Sequence, residues 1–259
     1  VEAYIANRTR FQKEPGLDNE RYHLTLLAKN NTGYRNLIRL VTKSHLEGFY
    51  YRPRMDLDLL REYHEGIIAL SGCFGSELSM AFRQKDIEKA EGVANTYRDI
   101  FGAENYFIEI MHHPGVPGLI DVRKDLIALA KKLNIPIVGT QDSHYLLPED
   151  ARAHETLLAI QTNGDLNDEN RFSMGSDDFS FIDTKKAKEF SLRSPEEMAE
   201  LFKETPEAIE NTEKIAEMCD INLELGSWVF PDFKIPEESN YDDELRKLTY
   251  EGLAKRGLL

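Results

Sequence analysis

Short apolar runs alternate with longer amphipathic stretches along the first 140 residues of the chain. Each run is four to eight residues long and is richer in branched and aromatic side chains than the sequence on either side, which indicates β-strands. The predicted strands are Val1–Ala6, His23–Ala28, Gly66–Ser71, Tyr106–Met111 and Ile135–Thr140.

The stretches between these runs carry their apolar residues at the spacing of an α-helix. Asn31-Thr32-Gly33 can cap a helix that continues through Val41, and further helices are predicted over Lys85–Phe101 and Pro117–Leu133. Regular alternation of strands and helices favours an α/β fold in which a parallel sheet is connected by crossover helices.

The alternation stops after Thr140, and the rest of the chain is predicted to be mostly helical. The clearest helix starts place Ser194 or Thr205 before a proline, an arrangement typical of a helix N-terminus. A linker from Asp220 to Tyr241 contains a glycine, a tryptophan and two prolines, and it indicates a domain boundary. The predicted helices are Pro148–Gln161, Ser194–Phe202, Pro206–Cys219 and Asp242–Lys255, and a polar loop is predicted over Thr162–Asp178.

Composition narrows the class of protein. The chain has 259 residues, of which 41% are hydrophobic and 30% charged, as in a globular protein that buries a sizeable core. It carries 32 basic and 46 acidic residues, and the net charge of −14 argues against a protein that wraps nucleic acid with basic side chains. No apolar run approaches the roughly 20 residues that span a bilayer, so no membrane partner is expected. The only cysteines, Cys73 and Cys219, argue against a disulfide scaffold and for a reducing, cytoplasmic setting.

Asp142 and His144 form the sharpest local signal of a site. They follow an apolar strand, and the carboxyl ends of parallel strands are where α/β folds build their sites. An extended backbone points residues two positions apart to the same face, which suits two metal ligands or one ligand and its orienting partner. The alternative is an aspartate that caps the next helix beside a surface histidine.

Other reactive side chains also stand at the ends of predicted strands. His23 opens one strand, Cys73 follows another, and a third closes with Glu109, His112 and His113. Nitrogen, oxygen and sulfur ligands of this kind fit Zn²⁺ or a comparable transition metal. Each residue taken alone is more often a core histidine with satisfied hydrogen bonds or a cysteine that fills apolar space.

Arg52 and Arg54 form a compact cationic pair beside aromatic residues. Guanidinium groups match phosphate oxygens, so both are candidates to hold a substrate phosphate. His113, from its position at a strand end, is a third candidate for contact with substrate. The alternative for the arginines is a solvated loop with two surface side chains.

Four stretches stand in the order and at the spacing of a known family: Tyr22–Asn30, Gly48–Arg54, Ala69–Cys73 and Gln141–Leu146. They resemble the polymerase-and-histidinol-phosphatase (PHP) domain of the bacterial replicative DNA polymerases, the DNA polymerase III alpha family. Val1–Tyr4 also resembles a strand of that family whose glutamate is a metal ligand. The resemblance covers essentially the whole chain. It implies a distorted (β/α)7 barrel, incomplete in this chain, followed by a mostly helical tail.

Carried over position by position, the resemblance implies metal ligands at Glu2, His23, Cys73, Asp142 and His144. These residues are expected to hold part of a multinuclear cluster of divalent ions, with zinc favoured and manganese or magnesium as alternatives. Glu109 and His113 match family positions near the same face and are not predicted to be ligands.

The resemblance also implies a plan of domains. Residues 1–190 are expected to form a PHP domain without its N-terminal strands, 191–222 a helical extension of it, and 223–259 a linker with the first helix of a polymerase palm. The sequence lacks the family's opening H-x-H motif, the aspartate and histidine that follow it, and the palm carboxylates. The chain is therefore expected to be a segment of a longer protein, with an incomplete metal cluster and weak or absent hydrolytic activity in isolation.

The function implied by the resemblance is that of a segment of a replicative DNA polymerase whose PHP part resembles a metal-dependent 3′–5′ exonuclease. The alternative is an inert PHP scaffold that stabilises the polymerase or docks a separate proofreading subunit. A stand-alone phosphoesterase for small phosphate esters is disfavoured by the palm-like final helix. Expected partners are DNA, bound through the full-length polymerase, and replicase subunits such as the sliding clamp and a proofreading subunit. The negative charge then excludes only DNA binding by this segment unaided.

Overall fold

The computed structural model describes residues 1–166, 190–228 and 230–258. It divides into two compact units, Val1–Asn222 and Leu223–Leu259. From residue 167 onward, the predicted loop Thr162–Asp178 lies outside the described residues. The assignment of the units to a PHP domain, its helical extension and a palm stays a prediction.

A six-stranded sheet forms the centre of the first unit, in the order β3-β1-β2-β4-β5-β6. All five predicted strands are present, with slightly different ends, and one short strand is added. The strands are β1 (Glu2–Ala6), β2 (Arg21–Ala28), β3 (Arg54–Met55), β4 (Ile67–Leu70), β5 (Tyr106–Met111) and β6 (Ile137–Thr140).

Helices follow most of the strands and continue beyond the last one. Those of the first unit are α1 (Asn31–Leu46), α2 (Leu57–Glu62), α3 (Glu77–Arg83), α4 (Ile87–Phe101), α5 (Leu119–Leu133), α6 (Ala151–Thr162), α7 (Pro195–Leu201) and α8 (Glu207–Met218). The α/β class is confirmed, and the sheet with its helical continuation agrees with an incomplete PHP barrel and a helical tail.

The expectation of a parallel sheet is wrong for β2. This strand is antiparallel to both neighbours, with Thr25 opposite Glu2 on β1 and Leu70 on β4. Residues 7–20 connect β1 to β2 without a helix, so the chain returns directly beside the strand it has just left. Farther along, β4, β5 and β6 are parallel to one another, as the helices between them require.

The two faces of β2 have different environments, and this difference positions the site. Leu24 and Leu26 point into the apolar core, whereas His23 and Thr25 are half-buried on the opposite face. This alternation is the two-residue period of a strand. By contrast, every residue of β5 is buried, so a polar side chain on that strand has to find its partners inside the protein.

Two helices and one strand were missed because they are short. The helices α2 and α3 have six and seven residues, which is too few for an apolar period to show. The first helix also differs from its prediction. Asn30 caps it, because its side chain accepts a hydrogen bond from the backbone N–H of Gly33 at 2.9 Å, and it continues to Leu46 rather than Val41.

In the described part of the second unit there is one helix, α9 (Tyr241–Lys255), which Asn240 caps by accepting from the backbone N–H of Asp243. Its described residues before Asn240 form neither helix nor strand. Trp228 and Phe230 stack with ring centroids 6.3 Å apart, and both rings are largely exposed. Among the residues that the structure describes, no helix combines the length and apolar character that a membrane crossing requires.

Candidate metal centre

The sheet brings the predicted ligands to one edge. Because β2 is antiparallel to β4, its first residues lie beside the carboxyl ends of β4, β5 and β6. Thr25 pairs with both Glu2 and Leu70, which places the Glu2 backbone level with the end of β4. The antiparallel direction of β2, which the sequence did not predict, therefore brings His23 to this edge.

Glu2, His23 and Cys73 form a compact cluster. The Nδ1 atom of His23 lies 2.6 Å from Oε1 of Glu2 and 3.3 Å from Sγ of Cys73. The distance from Sγ of Cys73 to Oε1 of Glu2 is 3.7 Å. The three potential ligand atoms thus all lie within 4.8 Å of one another, on a partly exposed surface.

The spacing and chemistry of this cluster fit a metal of the zinc type. Bonds of about 2.0–2.3 Å at tetrahedral angles place ligand atoms roughly 3.3–3.8 Å apart. Both distances from Sγ of Cys73 fall in this range, and only the hydrogen-bonded pair of Glu2 and His23 is closer. One carboxylate, one imidazole and one thiol also make up the mixed ligand set that borderline metals accept.

Asp142 and His144 lie close together on the loop after β6. The backbone carbonyl of Asp142 is 2.7 Å from Nδ1 of His144, and its Oδ1 is 3.9 Å from the same nitrogen. With Nδ1 donating to the carbonyl, Nε2 is left as the ligand atom. The expected extended backbone is absent, because Asp142 has a φ of 53° in the left-handed region.

Asp142 and His144 lie close enough to the cluster to interact with it electrostatically. Burial raises the pKa of Asp142, and the Glu2 carboxylate raises it further, whereas His144 and His23 oppose the shift. The hydrogen bond from His23 is the main cause that lowers the pKa of Glu2, and the charge of His144 acts in the same direction. The carboxylates of Glu2 and Asp142 are therefore each influenced by the histidines of this edge of the sheet.

The thiol of Cys73 stays protonated when no cation is near. Burial raises its pKa well above the usual value, and the Asp142 carboxylate adds to the effect. A bound divalent ion reverses this balance, since coordination removes the thiol proton. The environment of Cys73 therefore suits a metal ligand and not a free nucleophile, which requires a lowered pKa.

Glu109 lies behind the cluster, almost completely buried in the middle of β5. Its carboxylate accepts hydrogen bonds from the hydroxyls of Thr140 at 2.7 Å and Thr25 at 3.3 Å, and from the backbone N–H of Gly72 at 3.2 Å. Burial raises its pKa to about 7 despite these donors. His113 is also buried and stacks on Phe190, with ring centroids 4.6 Å apart.

Arg54 does not fit the predicted phosphate-binding role. It is fully buried, so its guanidinium cannot meet a ligand at the surface. The group donates four hydrogen bonds, to the backbone carbonyls of Gly48, Asp18, Arg10 and Gln12. Arg52 is exposed and remains a candidate, whereas the ring of His113 is buried.

Two further groups near the strand ends were missed. The Arg123 guanidinium donates to Nδ1 of His112 and lies 4.7 Å from the ring centroid of Phe202. The ring of His154 is 5.5 Å from that of His144, and burial lowers the pKa of His154. Both residues sit on helices, where a single charged residue or histidine looks like part of a solvated face, so the sequence carries no distinct signal for them.

The first part of the chain matches a known protein family. Residues 1–113 match the PHP domain family, and the candidate ligands Glu2, His23 and Cys73 lie inside the matched part. The match confirms the predicted resemblance to a PHP domain for this part of the chain.

The relatives are more specific. The chain is 42% identical to DNA polymerase III subunit alpha of Thermus aquaticus over 98% of its own length, which is 20% of that relative. It is also 42% identical to the subunit alpha of Deinococcus radiodurans and 39% identical to that of Borreliella burgdorferi, over 19% and 21% of those proteins. The predicted resemblance is therefore confirmed, and the chain spans about one fifth of the length of the relatives it matches.

Proposed function

We propose that this chain is the PHP-containing part of a bacterial replicative DNA polymerase and that its strand-end site binds divalent metal for phosphoester hydrolysis. The observation that carries the proposal is the cluster of Glu2, His23 and Cys73, linked electrostatically to Asp142 and His144 at one edge of the sheet. Within the polymerase, the reaction is 3′–5′ exonuclease removal of a nucleotide, and zinc is the metal that the thiol favours.

The chain's own residues prepare the site for a cation and a phosphate. Glu2 and Asp142 supply negative charge that favours a bound cation, and the Asp142 carbonyl orients the ring of His144. When bound, divalent ions polarise phosphoryl oxygens and lower the pKa of water toward about 7. Exposed Arg52 is the candidate to hold a non-bridging phosphate oxygen.

DNA reaches this site through the longer polymerase. The net charge of −14 opposes independent binding of a polyanion by these residues, so the grip on the duplex belongs to other parts of the polypeptide. Contacts with the sliding clamp and with a proofreading subunit belong to the same proposal. Phosphodiester synthesis, as a nucleotidyltransferase, is assigned to the polymerase as a whole.

The second candidate function is an inert scaffold that stabilises the polymerase or docks a separate proofreading subunit. The exposed apolar side chains of Leu225, Trp228 and Phe230 favour a contact role for the second unit. We prefer the metal-dependent nuclease, because an inert scaffold does not need the half-buried Cys73 thiol beside carboxylates.

The test uses the polymerase polypeptide that carries this segment, with a primer whose 3′ nucleotide is mismatched. We expect bound divalent metal, chelator-sensitive removal of the mismatched nucleotide, and a loss of at least about 100-fold in Asp142→Asn, with DNA synthesis retained. The exposed Asp121 on α5 provides a control, since Asp121→Asn leaves the site unchanged. A polymerase without bound metal and without mismatch removal overturns the nuclease proposal and leaves the scaffold.

A further inference from the structure

The side chain of Glu109 connects three elements besides its own. Its carboxylate accepts from Thr25 on β2, from the N–H of Gly72 after β4 and from Thr140 at the end of β6. The backbone N–H of Glu109 also donates to the hydroxyl of Ser71 at 2.9 Å. One acid therefore cross-links the four adjacent strands β2, β4, β5 and β6 at the end of the sheet that carries the site.

Each hydrogen-bond partner stands next to a candidate ligand. Thr25 is two residues after His23 and pairs with Glu2 across the strands. Gly72 directly precedes Cys73, and Thr140 lies two residues before Asp142. The three bonds thus act on the backbone segments that carry the ligands while leaving the ligand atoms free.

The loop that carries Cys73 lies very close to the backbone at the start of β2. Gly72 has a φ of 91°, and a Cβ added to it would lie 2.3 Å from the carbonyl oxygen of His23. The loop that carries Cys73 therefore packs this closely against the start of β2 only with glycine at position 72. Its N–H is directed at Glu109, which fixes the loop from the other side.

We propose that Glu109 is a positioning residue that sets the spacing between the ligand-bearing segments; the inference rests on the proposed metal site. Metal ligands must lie within a few tenths of an ångström of their ideal distances. Removing the carboxylate leaves one buried N–H and two threonine hydroxyls without their acceptor, so the segments separate or rearrange to satisfy them. Glu109 itself touches neither metal nor substrate.

Cobalt binding tests whether Glu109 affects the metal affinity of the site. Co²⁺ is titrated into the metal-free chain and followed by the thiolate-to-cobalt absorption band. We expect Glu109→Leu, which is similar in size and has no acceptor, to weaken binding at least about tenfold and to reduce the band. Glu109→Gln keeps one oxygen for Gly72, and its amide can donate to a threonine, so binding stays within about threefold. Glu77→Gln is the matched control, a half-buried acid on α3 that contacts Tyr97 instead.

Alkylation of Cys73 gives a readout that needs no metal. Peptide-resolved iodoacetamide labelling compares Cys73 with Cys219, which is also half-buried and far along the chain in α8's C-cap. Because the Cys73 thiol is protonated and half-buried, its wild-type rate is low, and we expect Glu109→Leu to raise it several-fold and to leave the Cys219 rate unchanged. Glu109→Gln removes the same charge but keeps an acceptor, so it separates the loss of position from the loss of charge. Glu109→Gln should restore the wild-type ratio.

The outcomes separate the two proposals. Wild-type binding and alkylation in a folded Glu109→Leu variant overturn the positioning role. If the wild-type chain binds no Co²⁺, the metal proposal fails, and the alkylation ratio alone decides whether Glu109 holds the Cys73 loop. If Glu109→Leu does not fold, Thr140→Val and Thr25→Val replace it, since each removes one hydrogen-bond donor to Glu109. Smaller changes of Co²⁺ affinity and Cys73 alkylation rate in the same direction support the positioning role. Wild-type affinity and rate in both variants overturn it.

Discussion

A buried arginine organises the connection between the first two strands. Arg54 donates to four backbone carbonyls, three of which lie in the loop of residues 7–20. Because burial lowers the pKa of Arg54, the folded protein supports a poorly solvated charge by these bonds. The two arginines of this motif thus differ: Arg54 is buried and structural, whereas Arg52 is exposed.

Replacement of Arg54 by methionine should lower the free energy of unfolding by about 2–4 kcal/mol, since four carbonyls lose a charged donor. Urea unfolding monitored by circular dichroism measures the change. Arg52→Met is the matched control and should stay within about 0.5 kcal/mol of wild type, because exposed side chains contribute little. Equal stability of the two variants would contradict the structural role of Arg54.

The pKa of Glu109 makes stability depend on pH. Burial raises the pKa to about 7 from the usual 4.5, so between these values the native state binds more protons than the unfolded state. The stabilisation from Glu109 is complete below about pH 4.5 and is lost as the pH rises through about 7. Glu109→Gln cannot ionise, so its free energy of unfolding should gain about 2–3 kcal/mol relative to wild type between pH 4.5 and 7.5. Urea titrations in chelator at several pH values measure this difference, and a constant difference would contradict the raised pKa.

At the scale of elements, the first helix depends on a close backbone approach. A Cβ on Gly33 would lie 1.7 Å from the carbonyl oxygen of Gly66, so α1 can pack against the start of β4 only with glycine at this position. Gly92 in α4 has nothing within 4 Å of its added Cβ and serves as a control on another helix.

Gly33→Ala should destabilise the protein by about 3 kcal/mol or more, because backbone atoms on both sides must move. Gly92→Ala should instead stabilise it by about 0.5–1 kcal/mol, since alanine reduces the entropy lost when the helix forms. Thermal or urea unfolding of the pair checks both signs. A neutral Gly33→Ala variant would show that α1 does not pack this tightly.

The elements show which structural features local sequence determines. Strong apolar runs predicted all five long strands, because burial on one or both faces leaves a clear pattern. The direction of β2 was not predictable from alternation alone, since nothing in the sequence of residues 7–20 shows that the chain turns back. Short elements such as β3 and α2 were missed because their stability comes from tertiary contacts, including the pairing of Arg10 with Asp56 at the N-terminus of α2.

At the scale of the whole molecule, only the first unit carries an extensive apolar core. The buried side chains around Leu24, Ile108 and Phe202 all belong to residues 1–222, whereas most described side chains of the second unit are exposed. An isolated helix of 15 residues such as α9 is marginally stable in water.

Residues 1–222 should therefore fold cooperatively as a separate polypeptide, and a peptide of residues 223–259 should be largely unfolded. Circular dichroism with thermal unfolding measures both. Loss of the cooperative transition in the 1–222 polypeptide, or a stable helix in the short peptide, would contradict this division of stability.

The site shows the same contrast between local and long-range information. Residue types at strand ends were enough to nominate His23, Cys73 and Asp142, and the family resemblance added Glu2. Sequence reasoning could not show that Arg54 is internal, since its partners are backbone carbonyls with no sequence signature. It also gave no indication that Glu109 bonds to three other elements, because those contacts span 31 to 84 residues along the chain.

The most direct test of the metal proposal is the zinc-edge X-ray absorption spectrum of this chain loaded with one equivalent of Zn²⁺. We expect one sulfur ligand at about 2.3 Å and nitrogen or oxygen ligands at about 2.0–2.1 Å. The sulfur should disappear in Cys73→Ser and persist in Cys219→Ser. Failure to retain zinc, or a spectrum without sulfur in the wild-type chain, would contradict the assignment of this edge of the sheet as a metal centre.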